Sequence, residues 1–237
     1  SPNFASLTGK YIKEDISMNP KKASQTGIQI VLGLILVFFI ISSAVVFTLN
    51  FRPLYYFDID HLNISQTSGY AESEIRANYD VLIDYNSIFG PNTLEFPTLA
   101  MSESGRIHFE EVKVIFVAIQ ITLLITFILG LTAILWQRRK KDWRFLKYAS
   151  ILTIAIPLIL GFLISLNWDQ AFITFHHIFF NNDYWIFSAD TDPVITILPD
   201  TFFLHCAIMI LGLVIAGSVV CFIIYRWLKS RQKSRRN

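Results

Sequence analysis

Residues 27–49 read GIQIVLGLILVFFIISSAVVFTL, and this uninterrupted apolar stretch decides the class of fold. A helix of about 20 apolar residues is long enough to cross the hydrocarbon core of a bilayer. Residues 114–136, 148–166 and 203–225 form similar stretches, so the sequence predicts four transmembrane helices. The first stretch exceeds the apolar core of a typical signal peptide, and no small-residue cleavage site follows it, so we expect it to be retained.

The composition agrees with a membrane protein. Of the 237 residues, 53% are apolar and 16% are charged, whereas soluble domains contain roughly 45–50% apolar and about 25% charged residues. The net charge of +2 indicates no nucleic-acid partner. Cys206 and Cys221 both lie in the last apolar stretch, which argues against a disulfide framework, a thiolate metal site and cysteine catalysis.

The distribution of charge predicts the topology. Sixteen of the 20 Lys and Arg residues lie in residues 10–22, 138–147 and 226–236, which flank the apolar stretches. Basic flanking segments remain on the cytoplasmic side, so both termini are expected there. Residues 50–113 and 167–202 then face outward, and they contain 15 of the 18 Asp and Glu residues.

We therefore predict an all-α membrane protein whose two outward loops, 50–113 and 167–202, form a small extracellular cap. Within the cap we expect short strands around residues 55–63. We also expect a helix within residues 72–85, where apolar residues recur at helical spacing. Residues 1–17 precede a natural-looking start at Met18 and are interpreted as an expression remnant or disordered tail, with 18–237 as a single membrane domain.

All five histidines lie in or within three residues of the predicted cap: His61, His108, His176, His177 and His205. Histidine is suited to proton transfer near neutral pH, although a lone histidine is more often structural. Glu111 follows His108 by three residues, so on a helix it shares a face with the imidazole and can orient it. Adjacent histidines diverge by about 100° on a helix and chelate poorly, so no metal and no cofactor is predicted.

The second loop is unusually aromatic, with 10 aromatic residues in residues 167–203. Such residues form either an interfacial belt or the wall of a lipid-binding groove, and both interpretations stay open here. In the first loop, polar and aromatic side chains that can contact a substrate can equally serve the packing of the cap: Arg76, Asn78, Tyr79 and Asn86.

Two short motifs lie in the two outward loops. Residues 104–113 read SGRIHFEEVK, and residues 175–180 read FHHIFF, with Trp185, Phe187 and Asp192 following. Together these motifs resemble the bacterial lipoprotein intramolecular transacylase (Lit) family. The family pattern places one histidine before an acidic-Val-Lys triplet and a second in F-H-x-[IL]-F-F, followed by W-x-F and an Asp. The resemblance covers residues 18–225. It departs at Ser188-Ala189, where many members have Asp-Pro.

The resemblance implies an acyltransferase of the bacterial cell membrane. Such an enzyme moves the sn-2 acyl chain of a diacylglyceryl lipoprotein onto the α-amine of its N-terminal cysteine. His108 and His176 take the two catalytic positions, and which is base and which acid stays open. Substrate and membrane lipids are the expected partners, and these residues are the expected substrate contacts: Phe179, Phe180, Tyr184, Trp185, Glu111, Asn78 and Tyr79.

Two other classes of protein are compatible with the sequence. A non-enzymatic membrane protein can bind a lipid or lipoprotein through the aromatic loop without reacting with it. A metal-dependent hydrolase is conceivable if His108, one of the histidine pair and a carboxylate converge. If the protein is a transacylase, we further predict that His61, His177 and His205 can each be replaced with activity retained.

Overall fold

A computed structural model of the chain describes residues 20–234, with side chains from residue 24 onward. The predicted segment 1–17 lies outside the described residues. Within residues 20–234 the chain forms helices and no strands. The helices, in chain order, are α1 Pro20–Asn50, α2 Arg52–His61, α3 Ile64–Ser68, α4 Glu72–Tyr85, α5 Glu103–Lys140, α6 Arg144–Leu166, α7 Trp168–Phe179, α8 Val194–Ile197 and α9 Asp200–Ser234.

The four long helices α1, α5, α6 and α9 are each long and apolar enough to cross a membrane. They include the four predicted apolar stretches, so the predicted class, an all-α membrane protein with four transmembrane helices, is confirmed. Two of them extend well beyond those stretches, because α5 begins at Glu103 and α9 continues to Ser234. His108 therefore lies in the first turns of a long helix.

Helix α1 lies at the centre of the bundle and packs against α5, α6 and α9. Small residues allow close contact with α6, since a Cβ added to Gly33 would lie 3.1 Å from Cβ of Tyr148. Between α9 and α6, the Ser218 hydroxyl donates a hydrogen bond of 2.7 Å to the carbonyl of Ser150. Large apolar side chains on the outer faces are exposed, as expected for helices that contact lipid.

The predicted strands around residues 55–63 are wrong, because this segment forms helix α2. Pro53 lies in its first turn, where the missing N–H has no helical partner to lose. Tyr55, Asp58 and Ile59 recur at helical spacing and are buried. The aromatic run 55–57 favours strands by propensity, and burial of one helical face overrides that preference.

The core of the cap forms where α2 and α4 meet the start of α9. Tyr55 stacks on Tyr79 with ring centroids 3.7 Å apart, and Phe202 contacts Tyr55 edge-on at 4.9 Å. The Tyr55 hydroxyl donates a 2.6 Å hydrogen bond to the carbonyl of Ile197. Helix α4 confirms the predicted helix within residues 72–85. The cap is therefore built directly on the end of a transmembrane helix.

A hydrogen-bonded pair of side chains also joins the cap to α9. Asp58 of α2 is fully buried, and both of its carboxylate oxygens lie within 2.9 Å of Nδ1 of His205. His61 lies one helical turn from Asp58 and is exposed. His205 thus supplies the partner for a carboxylate that has no access to water.

We expect His205→Ala to lower the free energy of unfolding by on the order of 3 kcal/mol, because it leaves the buried Asp58 carboxylate without its partner. Unfolding of the purified protein in detergent measures the loss. His61→Ala is the matched control and should change stability little. Equal losses from the two variants would contradict this role, and adding Asp58→Asn to His205→Ala should recover part of the stability.

Candidate active site

His108 is held at the cap end of α5. The helix starts there because the Ser102 hydroxyl accepts a 3.0 Å hydrogen bond from the backbone N–H of Gly105, which caps the first turn. The imidazole is 6% exposed and is enclosed by the rings of Phe180 and Phe187, with centroids at 4.7 and 5.4 Å. Its Nδ1 atom is buried without a hydrogen-bond partner.

His176 lies near the end of α7, and its orientation is set by the preceding turn. Its Nδ1 lies 2.8 Å from the carbonyl oxygen of Phe172. A carbonyl only accepts, so in the neutral ring Nδ1 carries the proton and Nε2 retains a lone pair. Trp185 stacks on the imidazole at 4.5 Å. The ring is thus fixed with its basic nitrogen on the side away from α7's backbone.

The fold brings these two histidines together although they lie on separate helices. Their ring centroids are 6.2 Å apart, and Phe180 contacts both rings. Burial lowers the pKa of His176; the hydrogen bond to the Phe172 carbonyl opposes this shift, and His177 adds to it. His176 is therefore neutral at neutral pH and able to accept a proton.

Glu111 lies on the same face of α5 as His108, but it does not hydrogen-bond the imidazole. Its Oε1 accepts a 2.8 Å hydrogen bond from the side-chain amide of Asn182, and its Oε2 is buried without a partner. A buried carboxylate oxygen with no partner is costly in an isolated protein. Together with the unpartnered Nδ1 of His108, it marks a place where a polar ligand group would be favoured.

Asp192 ties the loop after α7 to the start of α5. Its Oδ1 accepts a 2.7 Å hydrogen bond from the backbone of Ser102, and its Oδ2 accepts one from the Thr191 hydroxyl. A Cβ on Gly105 would lie 2.2 Å from Asp192 Oδ1, so only glycine leaves room for the carboxylate. This contact sets the distance between the two histidine-bearing segments.

The other predicted site residues lie in three different parts of the structure. Phe180 and Trp185 contact the histidines, whereas Phe179 and Tyr184 are 50% and 41% exposed at the edge of the site. Asn78 and Tyr79 lie in the core of the cap, where Asn78 donates hydrogen bonds to Glu74 and Thr98. His177 is exposed, with its ring 5.6 Å from Trp185.

The site also contains three residues that were not predicted from the sequence: Phe172, Asn182 and Phe187. Phe187 belongs to the W-x-F motif, so the sequence contained a feature from which its place in the site could have been predicted. Phe172 is one helical turn before His176, and its ring lies 4.3 Å from the imidazole. Nothing in the sequence identified Asn182 as a site residue, because its contact with Glu111 depends on the tertiary fold.

Among residues 20–234, no three His, Cys, Asp or Glu side chains lie close enough together to hold a metal ion.

The fold and site define a multi-pass membrane protein with a pair of histidines, His108 buried and His176 half-buried, at the cap end of its bundle. The family model of the lipoprotein intramolecular transacylase Lit matches residues 30–203. The chain therefore belongs to the Lit family, which makes it an acyltransferase. No curated protein sequence matches it.

The chain is also similar to solved structures. It is 39% identical to the membrane-integral lipoprotein intramolecular transacylase Lit from Bacillus cereus, solved in meso, with a TM-score of 0.87 over 90% of this chain and 99% of that one. A variant of that protein with histidine replaced by arginine is 37% identical, with a TM-score of 0.80 over 92% and 100% of the chains. A histidine-to-alanine variant is 38% identical, with a TM-score of 0.82 over 90% and 97%.

We expect Gly105→Ala to displace the Asp192 carboxylate and to lower stability by about 1–3 kcal/mol, with a loss of activity, because the new methyl group overlaps Oδ1. Gly130→Ala on the same helix is the control, since nothing lies within 4 Å of its added Cβ. Thermal unfolding in detergent compares the two. Equal stability of both variants would show that the Gly105 contact does not constrain the site.

Proposed function

We propose that this chain transfers the sn-2 acyl chain of a diacylglyceryl lipoprotein to the α-amine of the lipoprotein's N-terminal cysteine. The product is an N-acylated lyso-glyceryl lipoprotein. The observation that supports this most is the histidine pair, 6.2 Å apart, between aromatic rings at the cap end of the bundle. The Bacillus cereus relative is named for intramolecular transacylation of lipoproteins.

The reaction needs no nucleophile from the protein, because amine and ester belong to one substrate. The amine nitrogen forms a bond to the ester carbonyl carbon, and the bond from that carbon to the glyceryl oxygen breaks. One proton leaves the nitrogen and one arrives on the oxygen, so the step balances without water or cofactor. Holding both groups in place gives an intramolecular reaction a large rate advantage.

In this proposal His176 accepts the proton from the attacking amine. Its neutral state and the lone pair on Nε2, left free by the bond from Nδ1–H to Phe172, suit it to this role. His108 donates a hydrogen bond to the substrate oxygens as they become negative. The unpartnered Oε2 of Glu111 accepts a hydrogen bond from the substrate amine.

The aromatic surroundings suit a lipid substrate and keep water from the reacting ester. Phe180 is 5% exposed against both imidazoles, and Trp185 covers His176. Exposed apolar side chains continue outward from the pair and can hold the acyl chains: Phe175, Ile178, Phe179, Tyr184 and Ile186. Exclusion of water favours transfer to the amine over hydrolysis.

We also place the active site on the outer face of the bacterial cell membrane. The basic segments 138–147 and 226–234 lie at the end of the bundle opposite the cap, which the positive-inside rule assigns to the cytoplasm. A lipoprotein anchored in the outer leaflet presents its glyceryl ester at the depth of the histidine pair. The terminal amine then reaches the site from the aqueous side.

We expect His108→Ala and His176→Ala each to lower transacylation by about 10²–10⁴-fold, the range for loss of an acid or base. The purified variant is incubated with a diacylglyceryl lipopeptide, and mass spectrometry of fragments locates the acyl chain on nitrogen or on glycerol. His61→Ala and His177→Ala are the controls and should retain activity, as should His205→Ala in molecules that remain folded. Full activity in either test variant would overturn the assignment.

The same assay separates an enzyme from a binding protein. A protein that only binds lipoprotein leaves the acyl pattern unchanged at any concentration. Movement of the acyl chain by the purified protein alone, with no loss of mass from the substrate, supports an intramolecular transfer. Release of free fatty acid instead would indicate a hydrolase.

We expect two groups to shape the acid limb of the pH–rate profile: the substrate α-amine, whose usual pKa is about 7.7–8.0 and which attacks only when neutral, and His176, whose pKa is lowered below the usual histidine value of about 6.5. His177→Gln removes a neighbour that lowers this pKa, so the acid limb of the pH–rate profile should move toward higher pH. The comparison uses rates at saturating substrate. A limb that stays in place in His177→Gln would show that His176 does not control it.

A further inference from the structure

A cavity lies at the basic end of the bundle, opposite the histidine pair. It measures about 380 Å³ and lies between α1, α5 and the loop to α6. Its walls are formed by both apolar and polar side chains: Gln25, Ile28, Gln29, Trp136, Gln137 and Asp142, with Lys140 at the same wall. The proposed reaction makes no use of this cavity.

Gln137 is the feature of this cavity that needs an explanation. Its side chain is fully buried, yet neither its amide nitrogen nor its amide oxygen has a hydrogen-bond partner. Burial of an amide without partners is unfavourable, so such groups normally face a ligand or water. By contrast, the neighbouring Gln29 uses its Oε1 to accept a 3.0 Å hydrogen bond from the Phe145 backbone.

The charges around the cavity favour an anion. Lys140 is on its wall, with Nζ 3.7 Å from the centre of the Trp136 ring. Asp142 is also on the wall, but its carboxylate is paired with Arg144 at 2.9 Å, which offsets its negative charge. A ligand that satisfies Gln137 must both donate and accept, which a hydroxyl group does and a bare phosphate dianion does not.

An apolar groove continues from this cavity along the outside of α5. It measures about 270 Å³, is lined by Thr132, Leu135, Trp136 and Arg139, and shares Trp136 with the cavity. The groove runs along α5 from Arg139 back to Thr132, while the polar cavity lies at the basic end of the helix. Their arrangement matches an acyl chain joined to a polar headgroup.

We infer that this end of the bundle binds an anionic glycerophospholipid with a hydroxyl-bearing headgroup, such as phosphatidylglycerol. The headgroup hydroxyls meet the amide of Gln137, the phosphate meets Lys140 and Arg139, and one acyl chain lies in the groove beside Trp136 and Leu135. Bound lipid would join α1 to α5 at the end away from the active site.

The test measures the melting temperature of the full chain in detergent against added short-chain phosphatidylglycerol, short-chain phosphatidylcholine and soluble glycerol phosphate. The apparent Kd for phosphatidylglycerol should rise at least tenfold in Gln137→Leu and in Lys140→Gln. It should stay unchanged in Arg138→Gln, which removes an exposed charge of the same helix outside both walls. Gln137→Leu loses no hydrogen bond of the protein, so it should fold at least as well as the parent without lipid.

Three results would overturn the inference. Equal stabilisation by phosphatidylglycerol and phosphatidylcholine would remove the role of the anionic, hydroxylated headgroup. Equal weakening by Arg138→Gln and Lys140→Gln would indicate a general effect of charge. Binding of glycerol phosphate as tight as that of phosphatidylglycerol would show a soluble phosphate ester as the ligand, with no part played by the groove.

Discussion

The hydrogen bond from the Ser102 backbone to Asp192 joins the two parts of the chain that carry the histidines. Ser102 caps α5, so the position of this bond fixes the start of the helix that contains His108. Asp192 ends the loop that follows α7, so the same bond places Phe180, Trp185 and His176 over the cap end of the bundle. Gly105 leaves the space in which the carboxylate lies.

The long helices make this arrangement rigid. A site built on loops alone would depend on segments with few buried contacts, whereas α5 and α9 continue from the membrane into the cap without interruption. The position of His108 is therefore fixed by a transmembrane helix. The cap adds a second constraint through the buried pair of Asp58 and His205, which fixes α2 to α9.

Burial gives the histidine pair its chemical character. Aromatic rings enclose His108 and half-bury His176, and Nδ1 of His176 is hydrogen-bonded to a backbone carbonyl. Both effects leave a neutral base with one defined lone pair. The unpartnered polar atoms of His108 and Glu111 lie beside it, so the polar groups of a substrate would complete a site that the protein leaves open.

The two ends of the bundle differ in the ligands that they suit. The cap end combines neutral histidines with aromatic rings, and the opposite end combines Lys140 and Arg139 with the buried amide of Gln137. This difference follows from the charge distribution, because the acidic loops and the basic segments 138–147 and 226–234 lie at opposite ends of the membrane-spanning helices.

The sequence by itself determined the four spanning helices, because a bilayer demands about 20 apolar residues and tolerates few charges, and these features are local. It also pointed to His108 and His176, since each lies in a short motif that resembles one of the Lit family. Helix α2 was missed because the local preference of residues 55–57 for strands gives way to burial of Tyr55 and Ile59 against α4 and α9. Only the tertiary structure placed Asn78 and Tyr79 in the cap core and brought Asn182 to Glu111, because those contacts join residues distant in the chain.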